Sequence, residues 1–240
     1  MPMNDPQGLI SPHIERITPV LKEVFKEAVI SVAPGEQASW LADSFYRPVT
    51  GVTELPVGAH FRALYRYAAE TCLPESALHL CFADRLAFQV EGAFCQDFLA
   101  SIRRVQPESL PLIFQRSAAA WATHPRNYRE IEAAITTAGR WAFGRELDLA
   151  WCHLAVQAGV LKEVLPAVHN PDMSMMAEIV VQLVKEIRTE EVDWLAWEDP
   201  FILGREANEL FRERENSLEE TRKRLSYALP MMEVIRKGIL

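Results

Sequence analysis

Fifteen prolines stand against only ten glycines in this chain, and most of the prolines fall between apolar-periodic segments. Pro19, Pro74, Pro111, Pro171, Pro200 and Pro230 each precede a stretch with apolar residues three or four apart. Proline is tolerated in a first helical turn, where its missing N–H has no partner anyway, and it disfavours helix in the residue before it. Read as helix starts, these prolines predict an all-α chain: an irregular multi-helix bundle of about nine to ten helices, closed by a long charged C-terminal helix. The expected division is a flexible arm over 1–12, a helical core over 13–199, and a charged helix with a short apolar tail over 200–240.

The pattern supports that division in most places. Val20, Leu21, Val24, Phe25, Ala28 and Val32 share a helical face ended by Pro34-Gly35, and Phe61, Leu64, Tyr65, Ala68 and Cys72 mark another helix. Residues 78–102 are apolar nearly all round a helical wheel, which predicts a central buried helix with a kink at Gly92. Leu78, Leu80 and Phe82 also alternate, so a β-hairpin over 78–90 is the competing reading; the intervening Ala-Asp-Arg lacks hairpin-turn residues. Ile113, Phe114, Ala118 and Trp121 predict a helix, Asn127 caps the next, and residues 147–164 predict one more.

A chain of 240 residues, 49% of them apolar and 24% charged, is long and apolar enough to bury a core. No run of about 18 uncharged apolar residues occurs, and no basic segment followed by an apolar run opens the chain. Cys72, Cys81, Cys95 and Cys152 form no Cys-x-x-Cys pair, which predicts free thiols in a reducing, cytoplasmic setting.

Charge is uneven within the net −8. Residues 101–145 hold seven arginines and three glutamates, a balance of +4; residues 186–220 hold twelve acidic residues and four arginines, a balance of −8. Arg116, Arg126, Arg129, Arg140 and Arg145 are interspersed with Trp121, Tyr128 and Trp141, a combination suited to carboxylates or phosphates. The acidic balance overall argues against general nucleic-acid binding, leaving contact of the arginine-rich middle with a nucleic-acid backbone as a third-ranked expectation.

Motifs for dinucleotide, phosphate-loop, serine-hydrolase, zinc-protease and diiron chemistry are all absent. Weaker constellations remain. Glu75 and His79 lie four apart, as do Asp148 and Cys152 with His153 adjacent, and His169-Asn170-Pro171-Asp172 opens a predicted helix. Each has a plain structural explanation as a helix-face hydrogen bond, a small core cysteine or a helix start.

The expectation is therefore a non-catalytic interaction protein: an adaptor, a chaperone-like factor or a complex subunit, with no cofactor and no metal. Trp194, Trp197, Phe201 and Phe211 are the candidate partner anchors, and Arg126, Arg129 and Arg140 the electrostatic contacts. The thin apolar stripe of 205–229 offers self-association. The alternative is a helical enzyme or sensor with a buried small-molecule or metal site at His79 or His153.

Two short resemblances accompany this reading. Arg62-Ala63-Leu64-Tyr65 followed by Pro74, and Pro171-Asp172 followed by Glu178, resemble the maturation chaperones of molybdoenzymes. That resemblance implies an all-helical fold and a chaperone role, although Met173 stands where the family has histidine. His153-Leu154-Ala155 with Gly159 and Val164 is similar to part of an ankyrin repeat, without a second copy about 33 residues away.

Overall fold

The computed structural model describes residues 1–3 and 5–238; Asn4 in the expected arm and the last two residues of the expected tail lie outside them. In chain order the elements are α1 (Ser11–Leu21), β1 (Ala28–Val32), β2 (Tyr46–Thr50), α2 (Val57–Thr71), β3 (Ala77–Cys81), α3 (Ala83–Glu91) and α4 (Cys95–Arg104). There follow β4 (Leu112–Arg116), α5 (Ala118–Ala122), α6 (Arg126–Phe143), β5 (His153–Gln157), α7 (Ala158–Val164) and α8 (Met175–Leu183). The chain continues through β6 (Arg188–Val192), α9 (Asp199–Ile202), α10 (Ala207–Glu215) and α11 (Leu218–Gly238).

Six strands overturn the all-α expectation, and with it the helical fold implied by the chaperone resemblance. A four-stranded mixed sheet in the order β3-β5-β4-β6 lies at the centre, and β1 pairs with β2 in a parallel two-stranded sheet. In the larger sheet β5 is antiparallel to both β3 and β4, and β6 is parallel to β4.

The reason for the misreading is burial on both faces. Leu80, Ile113, Leu154 and Val156 point into one core with α2, α6, α8 and α11. Cys81, Leu112, Phe114 and Ala155 point into the other with α1, α3, α4 and Trp194. A strand covered on both sides reads as a continuous apolar run, and such a run matches a buried helix equally well.

The prolines divide accordingly. Pro12 and Pro200 lie in first helical turns, and Pro56 and Pro125 are helix N-caps. Pro74 and Pro111 instead precede strands, Pro19 lies in the last turn of α1, and α11 runs through Pro230. The fixed φ of proline suits an extended entry as well as a first helical turn, so it marks a boundary without naming the element beyond it. The helix expected over 20–32 is thus the end of α1 followed by β1. The helix expected over 78–102 is β3, α3 and α4, with the break falling at Gly92 as anticipated.

The hairpin reading was right for β3 but not for its second arm, which is α3. Residues 147–164 give a turn, β5 and α7 rather than one helix, so the ankyrin-like segment begins as a strand. The single charged helix is broken into α9, α10 and α11. Ala228, Met231, Val234 and Ile235 of α11 join the first core. Residues 1–3 pair with β1: the Met1 amine donates to the Val29 carbonyl at 2.7 Å, and the Met3 N–H donates to Ser31 Oγ at 2.8 Å.

Candidate functional site

Alternation along β3 places His79 and Cys81 on one face, and the register sets Cys81 directly opposite His153 of β5. One donor atom from each of the three side chains lies within 4.8 Å of the other two. His79 Nε2 and His153 Nδ1 share a hydrogen bond of 2.8 Å. The outer ring nitrogens, His79 Nδ1 and His153 Nε2, are buried without a partner among the described residues. His153 is fully buried, while His79 keeps one edge on a cavity wall.

Aromatic rings enclose the pair. Phe25, Phe98 and Phe114 pack on His79 at centroid distances of 5.7, 6.2 and 5.9 Å, and Trp194 packs edge-on to His153 at 5.0 Å. Burial, reinforced by the nearby Met1 amino group, pushes His79 down to about 3. Burial, then the neighbouring His79, holds His153 well below the ordinary imidazole value, and burial pushes the Cys81 thiol up to about 11. The cluster is uncharged, the opposite of the thiolate–imidazolium pair of a cysteine nucleophile. Each orphaned ring nitrogen costs about 1–3 kcal/mol against about 1 kcal/mol gained from the shared hydrogen bond, so packing alone gives this cluster no stabilising role.

The cavity that His79 and Cys81 border has a volume of about 330 Å³ and lies between β1, α2 and the outer edge of β3. Its walls mix apolar side chains such as Val24, Phe25, Leu64, Ala68 and Leu78 with polar ones, Lys26, Thr71 and Ser76 among them. Tyr65 also lines it and carries a buried hydroxyl without a partner among the described residues. At the rim, Arg47 and Glu27 form an ion pair at 2.5 Å beside Cys72.

A second buried polar system sits further along the same strands. Arg116, on β4, binds Glu132 and Asp148 at 3.0 Å each, donates to Cys152 Sγ at 3.1 Å, and lies 4.4 Å over the Trp121 ring. Arg85 pairs with Glu198, and Glu132 is also held by Arg224 and Tyr227. Asp148 and Cys152 therefore do meet, through Arg116 and not on a shared helix face. Glu75 and His79 do not share a helix, because residues 77–81 are extended.

The residues named from sequence fall in different places. Trp194 is 1% exposed, with its indole N–H donating to Ser101 Oγ at 3.1 Å. Trp197 is also buried, against Tyr128 and Phe211. Phe201 is half-buried between His13 and Phe88. Arg126 is exposed and tied to Glu130 at 2.6 Å. Arg129 and Arg140 have no ion-pair partner among the described residues, and both line a groove of about 310 Å³ with Trp121, Thr136, Thr137 and Glu146. Trp141 nearby is 82% exposed. No helix among the described residues is long and apolar enough to cross a membrane.

No known protein family matches this chain, and no curated protein or solved structure is similar to it.

Proposed function

We propose that the protein binds a small, largely apolar molecule in the cavity between β1, α2 and β3, with the polar end of that molecule meeting His79 and Tyr65. The observation that carries this is the coincidence of a cavity of about 330 Å³, with an apolar portion formed by Val24, Phe25, Leu64, Ala68 and Leu78, with two wall side chains bearing buried polar atoms unpartnered among the described residues. Apolar walls with a few convergent polar groups are the ordinary make-up of a ligand site. The edge position of β3 adds backbone groups that no neighbouring strand of its sheet occupies. Four unpaired cysteines fit a reducing compartment such as the cytoplasm.

The neutral apolar probe N-phenyl-1-naphthylamine tests the reading. Saturable one-to-one fluorescence enhancement by the wild-type chain is expected, with loss in Ala77→Trp, which sets an indole over the exposed part of the cavity wall. No saturable enhancement, or equal enhancement in the variant, sinks the reading.

A second reading, docking of an acidic protein segment, is favoured by one observation: Arg129 and Arg140, which form no ion pair among the described residues, share a groove with Trp121, against a single carboxylate there, Glu146. This retains the interaction role expected from sequence but moves it from the buried tryptophans to Arg129, Arg140 and Trp121.

A further inference from the structure

We propose that His79, Cys81 and His153 form a binding site for a single copper(I) ion in the wall of the cavity. The site goes beyond the ligand-binding reading, since an ion can be taken up there whether or not a molecule occupies the cavity.

Three observations point to it. First, strand register delivers two imidazoles and one thiol to one face of adjacent strands, with donor atoms within 4.8 Å of one another. The two facing nitrogens stand 2.8 Å apart, and metal–nitrogen bonds of about 2.0 Å need them about 3.4 Å apart, a movement of roughly half an ångström. Second, His153 is fully buried and its facing Nδ1 meets only His79 among the described residues, so an ion entering between the two rings displaces a single hydrogen bond. Third, Cys81 and His79 border the cavity, which gives an ion a route to the cluster.

The choice of ion follows from ligand softness and charge. Two nitrogens and one sulfur suit copper(I) and zinc(II), and no carboxylate belongs to the cluster among the described residues. On binding, the Cys81 thiol loses its proton to solvent and a sulfur–copper bond forms, with no change in oxidation state. One thiolate, two neutral imidazoles and copper(I) sum to zero charge inside the box of Phe25, Phe98, Phe114 and Trp194. Zinc(II) leaves a net positive charge in the same apolar surroundings, which is costly without a fourth, anionic ligand.

The test is an anaerobic competition between the reduced full-length chain and the copper(I) complex of bicinchoninate. Removal of one equivalent of copper(I) from the dye is expected for wild type and for Cys72→Ser, which alters the other cysteine at the cavity. Loss of that equivalent is expected for Cys81→Ser and His153→Ala, with His79→Gln on the half-exposed edge as the variant least disturbing to the core. Copper K-edge absorption of the loaded wild-type protein reads the ligands independently of any variant, and two nitrogen scatterers with one sulfur are expected. No uptake, uptake unchanged in all three ligand variants, a sulfur-free edge spectrum, or stoichiometric zinc(II) retention without copper(I) uptake each overturns the assignment. The naphthylamine titration contains no metal, so failure of the cavity reading and failure of the copper site register separately.

Discussion

Arg116→Met removes the one cation that touches both Glu132 and Asp148, and the structure sets the size of the effect. The Arg116 side chain is 4% exposed, and each carboxylate lies 3.0 Å away. At an effective dielectric of about 20, each contact carries ~5 kcal/mol of direct attraction, partly offset because the guanidinium no longer has to be desolvated. Glu132 keeps Arg224 and the Tyr227 hydroxyl, so Asp148 is the group left without a counter-charge. Breaking one side of such a buried pair costs about 3–5 kcal/mol, or roughly 6–20 °C in Tm for a chain of this size.

The loss depends on pH. Burial already raises Asp148 above its ordinary value while Arg116 opposes the rise, so loss of Arg116 drives it higher. An acid whose pKa is raised by folding holds its proton better in the native state, and stability then declines as pH climbs from the unfolded to the folded pKa. The deficit of Arg116→Met against wild type is therefore larger at pH 8 than at pH 5, by up to ~1.4 kcal/mol per pH unit. Urea unfolding followed by tryptophan fluorescence at both pH values measures it. Arg116→Met/Asp148→Asn removes the orphaned charge and keeps a carbonyl for the Ala150 N–H, so it recovers about 1–3 kcal/mol at pH 8. A single variant costing less than about 1 kcal/mol, or a double variant no more stable than the single, refutes the reasoning.

Other expectations follow from neighbouring geometry. Burial pushes Glu198 up to about 8 despite Arg85, so its contribution is present below pH 4.5 and is lost as pH rises toward 8; Glu198→Gln flattens that slope in a pH series of melting curves. A methyl group on Gly58 meets the Asp172 carbonyl oxygen at 2.2 Å, and backbone cannot yield as a side-chain tip can. Gly58→Ala therefore costs about 1–3 kcal/mol, read as a lower urea midpoint, whereas Gly51→Ala meets no atom and is strained only by its φ of +80°. Arg129→Glu/Arg140→Glu abolishes binding of a fluorescein-labelled polyglutamate peptide at low salt and leaves Tm within about 2 °C; unchanged binding removes the docking reading.

Legibility in the sequence followed the number of faces each element exposes. α2 has one wet side, and its periodic positions were read correctly from Phe61, Leu64 and Tyr65. β4 and β5 have none, and Leu112-Ile113-Phe114 and Leu154-Ala155-Val156 carry no alternation to separate strand from helix. Trp194 and Trp197 stood out as exposed anchors because acidic residues flank them; in the fold those acids point outward or into ion pairs while the indoles turn inward. His79 and His153 had each been singled out separately, but neither their pairing nor the role of Cys81 was visible. The contact spans 74 residues and depends on a strand register that no local spacing encodes. The clue available was the alternation of Leu78, Leu80 and Phe82, which puts His79 and Cys81 together on the opposite face.

The two buried polar systems on this sheet answer different demands, and the contrast bears on the proposed ligand site. Around Arg116, Glu132 and Asp148 each have a cation and a further donor, so the charges offset one another and tie β4, α6 and the turn before β5 together, although Nε of both Arg116 and Arg224 is itself buried without a partner among the described residues. Such a network explains its own presence: removing any one member exposes the cost of the others. The histidine pair has no such closure. Its one internal hydrogen bond leaves two ring nitrogens and a thiol without partners among the described residues, beside a cavity, where β3 forms the edge of the sheet. Packing against Phe98 and Trp194 would be served as well by leucine or phenylalanine at positions 79 and 153, at lower cost in buried polar atoms. Unpartnered polar atoms at a cavity wall, on an edge strand, are what favour the proposed ligand site over a purely structural role for the pair.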